Sequence, residues 1–593
     1  MAVWLGDNNR YMASDSNRSA SAMFAMIDRL AWAIAIAVGQ AIIVALRWKE
    51  TGSSLRTPQV SPALSRLFEK GPSSTPDRPW HLIISHDEVT PGALLRPDNR
   101  RKFSAFYCSF VELGAEALRW EVAWFPMAVL RSADDIVLTV ALRLLLTWLA
   151  ERLLPGIILP LQGGPTYLFA RIAIHLADEA ALKSGLSVKG ASGIRPCLRC
   201  GNILKKHSDL SSRRPGLFEI TETDTSRFVA VTDEELWRRH DQLEAMVAAG
   251  LSVVQRERAA GLSVVHNSVL SDRNLRAHFR PIDSVCFDWM HCMVQNGVAN
   301  VELHLLLKAC REVGMTNVWS LLQKFVSADW QSCSYSRSKI KGCKVIFSPS
   351  RERASQDSFK AGASEFISVY PFVRRFVEQF LASEPRLTQQ VQSFLLCCRV
   401  LDLLLFLKAG FSHCHTEELQ IAVKRHQDEH KVVYGQAHWL PKQLARLPKH
   451  HFTTHIPAQI ARWQVVLDLF VIERGHQLPK AQAEPVKNTL DFERSVLAST
   501  VTSRIVALPQ FDERPKLTSA AAACSFLQSA LGESVQVANK AFTGAFCVAA
   551  GDVLFILDSC IFVRCLIDGE SSGLHALGHR CEALENIGHV GRG

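Results

Sequence analysis

The 593-residue chain has no Gly-rich phosphate loop of the P-loop kind and no Gly-x-Ser-x-Gly elbow, so ATP-driven chemistry and serine hydrolysis both lack sequence support. It has no internal repeat and no long low-complexity tract. Charged residues make up 21% against 48% hydrophobic, the balance of a folded globular protein rather than a disordered one. The sixteen cysteines have no regular spacing, and the chain is far larger than a disulfide-stapled secreted domain. Most of them read as reduced, small apolar core residues.

What is present is length and a mild positive surplus. The length allows roughly three to four domains and more than one core. A formal net charge of +10 favours polyanionic partners. One apolar run, Leu30 to Leu46, carries no charge and is bracketed by Arg29 and Arg47. It is slightly short of the roughly 20 residues a spanning helix needs and too far from the start for an ordinary signal peptide. A buried helix is the expectation, a membrane anchor the alternative.

Residues 1–75 read as an appended region ending in a Ser/Pro-rich linker, "KGPSSTPDRPW". Structure proper starts at Trp80. "WHLIISHD" and "KFSAFYCSFVEL" have strand composition on either side of the turn-forming "TPGALLRPDNR", and "EVAWFPMAVLRS" offers a third strand. "DDIVLTVALRLLLTWLAERLL" has the length and spacing of a buried helix. In "YLFARIAIHLADEAALKSGL" a strand with alternating Ile172, Ile174 and Leu176 closes on Asp178, and a helix begins. From about 205 to 460 the patterns are mainly helical, and helix is expected again from about Leu467 to Thr500. Short apolar strands return near the C-terminus.

The first strand runs into Asp87 and Glu88 before Pro91-Gly92. An unpartnered buried carboxylate costs several kcal/mol, so such a residue is a cap, half of an ion pair or a metal ligand. Adjacent strand residues face opposite ways, so Asp87 and Glu88 cannot share one centre. Asp87 is the candidate ligand, and Glu88 is expected to meet solvent or a basic partner. Asp87, Asp178 and Glu473, in "LFVIERGHQLPK", together offer the hard oxygen donors that suit magnesium or manganese. Two such ions held roughly 3.5–4 Å apart activate an attacking hydroxyl and stabilise a leaving oxygen in polynucleotidyl transfer. Cys197 and Cys200, in "RPCLRCGN", form half of a structural zinc site, with His207 or His291 and Cys292 as candidates to complete it. A reduced or redox pair is the competing reading. Two basic clusters are candidate phosphate contacts: Arg96, Arg100, Arg101 and Lys102, and then Lys442, Arg446, Lys449 and His450 with His451 and His455. Solvated loop is the plain alternative for each.

Four stretches, "HLIISHDEVTPGALLRPDNRRKFSAFYCSFVELG", "LADEAALKSGLSVKGASGIRPCLRCGN", "FDWMHCMVQNGV" and "LPKHHFTTHIPAQIARWQVVLDLFVIERGHQLPK", occur in an order that resembles eukaryotic cut-and-paste DNA transposases of the CACTA-like DDE/D type. The resemblance covers about residues 80–500. It implies an α/β fold, an RNase H-like mixed sheet core interrupted by a large mainly helical insertion, with a small C-terminal β appendage. On this reading 76–204 carry the first part of the core and the Cys-x-x-Cys knuckle, 205–460 the insertion, 461–510 the last core helix with the third acid, and 511–593 the appendage. It implies Asp87, Asp178 and Glu473 as catalytic residues holding two Mg2+ or Mn2+ ions. Cys197, Cys200 and His291 would bind zinc, Asp288 and His291 forming the family's Asp-x-x-His. Transposon-end and target DNA, a homo-oligomer and a nuclear location follow as partners and place, with no membrane. "VIERGHQLPK" is a loose match, so Glu484 and Glu493 stand behind Glu473, and Asp288 behind Asp178. The rival implication is a catalytically inactive or domesticated copy that binds DNA or protein.

Overall fold

The computed structural model describes residues 65, 68–93, 96–97, 101–132, 138–161, 164–205, 215–328, 345–355, 358–410, 415–434, 447–486 and 492–507, and the backbone of strands between 516 and 581. The segment Leu30 to Leu46 lies outside them, as do His207, Arg100, Lys442, Arg446 and the side chain of Arg96. The chain divides into two compact units, residues 1–299 with 396–508, and residues 300–395 with 509–593. Residues 205–299 and 396–460, which the sequence assigns to a helical insertion, belong to the same unit as the sheet.

The first unit is mixed α/β, built on a mixed sheet of five strands. These are β1 (Trp80–Val89), β2 (Phe103–Phe110), β3 (Phe125–Arg131), β4 (Ala170–Ala177) and β5 (Val285–Phe287). Their spatial order is β5-β4-β1-β2-β3. β1, β2 and β3 form an antiparallel meander, while β4 pairs parallel with β1 and β5 parallel with β4. A parallel return needs a crossover, and the helix Leu138–Leu153 supplies it between β3 and β4. That helix buries Leu142, Leu145, Leu146 and Leu149, each contributing about 1.5–3 kcal/mol of transfer free energy.

The sequence pattern suggests alternation in β4, yet seven of its eight residues are buried. A strand flanked by parallel neighbours and covered on both faces carries a continuous apolar run. On the covered face His86 and His175 lie with ring centroids 5.2 Å apart, and both are buried. Burial pushes the His86 imidazole down to about 4 despite the opposing pull of Asp178. The helix Glu179–Gly185 packs over this pair, and a Cβ at Gly185 would fall 2.7 Å from the His86 ring, so only glycine fits that crossing.

Around this sheet the first unit adds helices Asp233–Ala248, Val254–Ala260, Leu447–Thr453, Ile456–Trp463, Phe470–Gly475, Gln477–Ala483 and Phe492–Ala507. In the second unit, Trp319, Phe347, Phe359 and Phe366 form an aromatic cluster with centroids 5.5–6.2 Å apart. Its later residues form short antiparallel strands, of which Ser559–Gly569 and Gly573–Cys581 make a hairpin. Among the described residues one helical stretch, Pro385–Lys408, is long and apolar enough to cross a membrane, and half of its apolar window is buried.

Candidate metal centres

β1, β4 and β5 run parallel, so their C-terminal ends open on one side of the sheet, where open α/β sheets hold their ligands. The parallel pairing of β1 with β4 ends at Ser85 and Leu176, while β1 continues to Val89. Asp87 therefore lies beyond the last shared pair, beside an opening between two diverging strands. Asp178 follows β4 directly as the N-cap of Glu179–Gly185, where one carboxylate oxygen accepts the Ala181 N–H at 2.7 Å. Asp288 follows β5 in the same way. Glu473 comes from the helix Phe470–Gly475.

These acids feel one another. Burial first, then the charge of Asp178, push the Asp87 carboxyl up to about 7, with the Glu88 N–H and His291 acting in the opposite direction. Burial also raises Glu473, with Asp288 and Asp178 adding to it and His291 opposing. Like charges held together at the edge of the protein raise one another's proton affinity and are relieved by a cation. The centre is looser than a closed cage. Among the described residues, the sets of three ligand atoms lying within 4.8 Å of one another do not include Asp87, Asp178 and Glu473 together.

Glu88 faces away and pairs with Lys102 at 2.5 Å, the basic partner expected from strand alternation. Asp288 is saturated. It accepts the Met290 and Leu469 N–H groups on one oxygen and the His291 N–H and Nδ1 on the other, the last at 2.5 Å. A carboxylate so engaged positions the chain and the imidazole and has little capacity left for an ion. Glu484 and Glu493 do not share Glu473's helix: Glu484 follows Gln477–Ala483, and Glu493 pairs with Arg131 at 2.5 Å from the helix Phe492–Ala507.

Two histidines flank the acids. His291 Nε2 lies 3.5 Å from Glu473. Burial is the largest single influence and opposes its charge, but the Asp288 hydrogen bond and the charges of Asp288, Asp178 and Glu473 together overcome it and raise the ring to about 9. His476, one turn beyond Glu473, places Nδ1 3.7 Å from Asp87 and rests on Tyr107 with ring centroids 5.4 Å apart. Burial pushes His476 down to about 4. No motif in the sequence singles out His476.

The second centre corrects the expectation for zinc. His291, held between Asp288 and Glu473, does not reach Cys197 and Cys200. His451 and His455 do, and the four ligand atoms lie within 4.8 Å of one another. His455 Nε2 is 3.4 Å from each sulfur and 3.3 Å from His451 Nε2. A tetrahedral zinc with bonds of about 2.0 Å to nitrogen and 2.3 Å to sulfur separates its nitrogens by about 3.3 Å and nitrogen from sulfur by about 3.5 Å. The donor set and its spacing thus fit the ion. Burial opposes ionisation of Cys197, yet the hydrogen bond from Cys200 and the two imidazoles pull its thiol well below the usual range, while Cys200, the donor, is pushed up. Burial keeps His455 neutral, the form that ligates. The signal in the sequence was His451-x3-His455, a pair four residues apart that spans the turn between Leu447–Thr453 and Ile456–Trp463 and is hidden within a basic run.

The basic clusters turn out to be internally employed where they are described. Arg101 Nη1 donates to the carbonyls of Ala483, Glu484 and Val486, capping a helix end. Lys449 Nζ donates to the Gln295 and Asn296 carbonyls at 2.8 and 3.3 Å, and His450 is 4% exposed. Both were expected on a phosphate-contacting surface. The helix Leu447–Thr453 instead turns them inward, because it packs on Trp289–Met293. No known protein-family model matches the chain, and no curated protein is detectably similar to it.

Proposed function

We propose that the protein is a DDE-type DNA transposase, a metal-dependent polynucleotidyl transferase with an RNase H-like core. The observation that carries this is that Asp87 and Asp178 stand at the C-terminal ends of parallel strands and Glu473, on the helix Phe470–Gly475, is near enough for its charge to act on Asp87, whose carboxyl is pushed up to about 7 by burial and by Asp178. The strand order β3-β2-β1-β4-β5, a three-stranded meander followed by two parallel strands, supports the same reading. Two magnesium or manganese ions would supply activation of the attacking hydroxyl and stabilisation of the leaving oxygen. Asp87, Asp178 and Glu473 would hold them. Asp288 fixes the His291 ring, and that ring orients Glu473. Cys197, Cys200, His451 and His455 would hold one structural zinc that ties the loop after β4 to the segment leading into Glu473. Transposon-end and target DNA, a homo-oligomer that pairs two ends, and a nuclear location belong to the same proposal.

The test is cleavage of supercoiled plasmid DNA by the full chain in magnesium or manganese, beside Mn2+ binding followed by electron paramagnetic resonance. Nicked and linear products are expected, with a loss of at least about 100-fold in Asp87→Ala, Asp178→Ala and Glu473→Ala. Absence of both metal-dependent cleavage and Mn2+ binding overturns the reading. A second reading, an inactive copy that binds DNA or protein, is favoured by one contact: His291 already occupies Glu473. DNA binding without cleavage, unchanged in Asp87→Ala, would select it.

A further inference from the structure

A small cavity of about 30 Å³, partly open to solvent, lies beside the Cys-x-x-Cys knuckle and is distinct from the carboxylate opening. Leu182, Leu236, Leu262 and Phe287 give it apolar walls, and Arg195 and Arg239 reach into it from two different elements. The loop carrying Arg195 is fixed on both sides. Ile194 donates its N–H to Arg258 and accepts the N–H of Lys205, at 2.9 and 2.8 Å. Gly261, at φ +77°, passes so close that a Cβ there would lie 2.7 Å from the Arg195 carbonyl. Nothing in this packing calls for a cation.

The charges around the cavity are unevenly matched. Arg239 has a carboxylate of its own, Glu235, one turn earlier on Asp233–Ala248. Glu179, the acid in the wall, is engaged by the Ala191 N–H at 2.8 Å. Arg195 Nη1 is buried and has no hydrogen-bond partner among the described residues. Arg239 stands near enough to repel Arg195 electrostatically, and Glu235 offsets part of that repulsion. Two guanidinium groups brought together in a partly apolar recess, one with a buried N–H unsatisfied, form a receptor for an oxyanion, because a guanidinium fork matches phosphate geometry.

We infer that this cavity is a phosphate-binding site in which Arg195 and Arg239 clamp one phosphate group. Glu179 in its wall directly follows Asp178, so a backbone phosphate seated there lies beside the carboxylate centre, and the site would help set the register of the DNA strand. That last step rests on the proposed function. The anion site itself does not, since free phosphate offers the same oxygens.

The test compares the full chain with Arg195→Gln and Arg239→Gln, using inorganic phosphate in equilibrium dialysis and a 30-base-pair duplex across a salt series. Phosphate affinity is expected to fall at least tenfold in each variant. The slope of log K against log salt for the duplex is expected to fall by about 0.9, the share of one phosphate contact. Loss of phosphate affinity with an unchanged duplex slope assigns the site to a free phosphate, and a reduced slope alone assigns it to DNA backbone. If the wild-type chain binds phosphate but no duplex, the anion site stands and the transposase reading fails. Unchanged phosphate affinity and unchanged slope in both variants overturn the inference. Far-UV circular dichroism reports the fold. Because the two arginines lie on separate elements, a folded Arg239→Gln decides the matter should Arg195→Gln unfold.

Discussion

Removing the metal from the Cys2His2 site should lower the thermal stability of the first unit by an amount that chain geometry sets. His455 and Cys197 are 258 residues apart in sequence. Treated as a cross-link closing a loop of that length, a bound ion removes unfolded-state entropy worth about 5–6 kcal/mol at 25 °C. A compact unit on the order of 400 residues unfolds with an entropy of about 0.8 kcal/mol/K, so the midpoint should shift by about 6–7 °C. Little reorganisation at His455 offsets this, because its Nε2 already stands within about 0.2 Å of the tetrahedral separation from both sulfurs and from His451 Nε2. The assay is differential scanning calorimetry of the full chain before and after a strong chelator, with elemental analysis for one zinc per chain. Cobalt substitution should give the visible bands of a tetrahedral thiolate site. Cys197→Ser and His455→Ala should each reproduce the chelator's shift, whereas His291→Ala should leave zinc content unchanged. Protein purified without chelator that carries no zinc, and whose midpoint is indifferent to chelator, would refute the reasoning.

Three further outcomes follow from the acids. Asp87→Asn should stabilise the metal-free protein at pH 8 by on the order of 1–2 kcal/mol, since it removes a charge that burial and Asp178 disfavour, while abolishing stabilisation by Mg2+; thermal melts with and without Mg2+ show both. The Asp87 carboxyl is raised in the fold, so its contribution is complete below the unfolded value near 4 and is lost as pH rises through about 7. A divalent ion binds the ionised form, so Mn2+ affinity should climb up to about tenfold per unit below pH 7 and level off above it; a pH-independent affinity contradicts the assignment. Glu493→Gln breaks the part-buried pair with Arg131 and should cost about 2–3 kcal/mol in urea unfolding without altering Mn2+ binding.

Residues that announced themselves in the sequence did so through local pattern. β1, β2 and β3 were legible as apolar runs broken by turn residues, and Leu138–Leu153 by its helical spacing. Asp178 was legible because a strand ending and a helix beginning leave one residue to cap. What depended on distant partners was not. The region around Glu473 read as one helix, but Gly475 and Pro479 fall where Phe470–Gly475 gives way to Gln477–Ala483, and Glu484 and Glu493 were carried onto other elements. Half of the Cys2His2 cluster was visible in Cys197 and Cys200. The other half lay among cations that looked like a solvated surface, and only tertiary packing turns His450, His451 and Lys449 inward.

The order in which the two clusters receive their residues along the chain determines what a truncated product can hold. All five strands are complete by Phe287, and with them Asp87, Asp178 and both cysteines. The stretch from His451 to Glu473 then delivers both histidine ligands and the third acid. A premature stop codon anywhere between 288 and 450 would leave a transcript encoding the whole sheet and neither finished centre. Only a stop within 456–473 keeps all four Cys and His residues while losing Glu473, whereas any stop from 288 to 451 leaves the thiol pair without either imidazole.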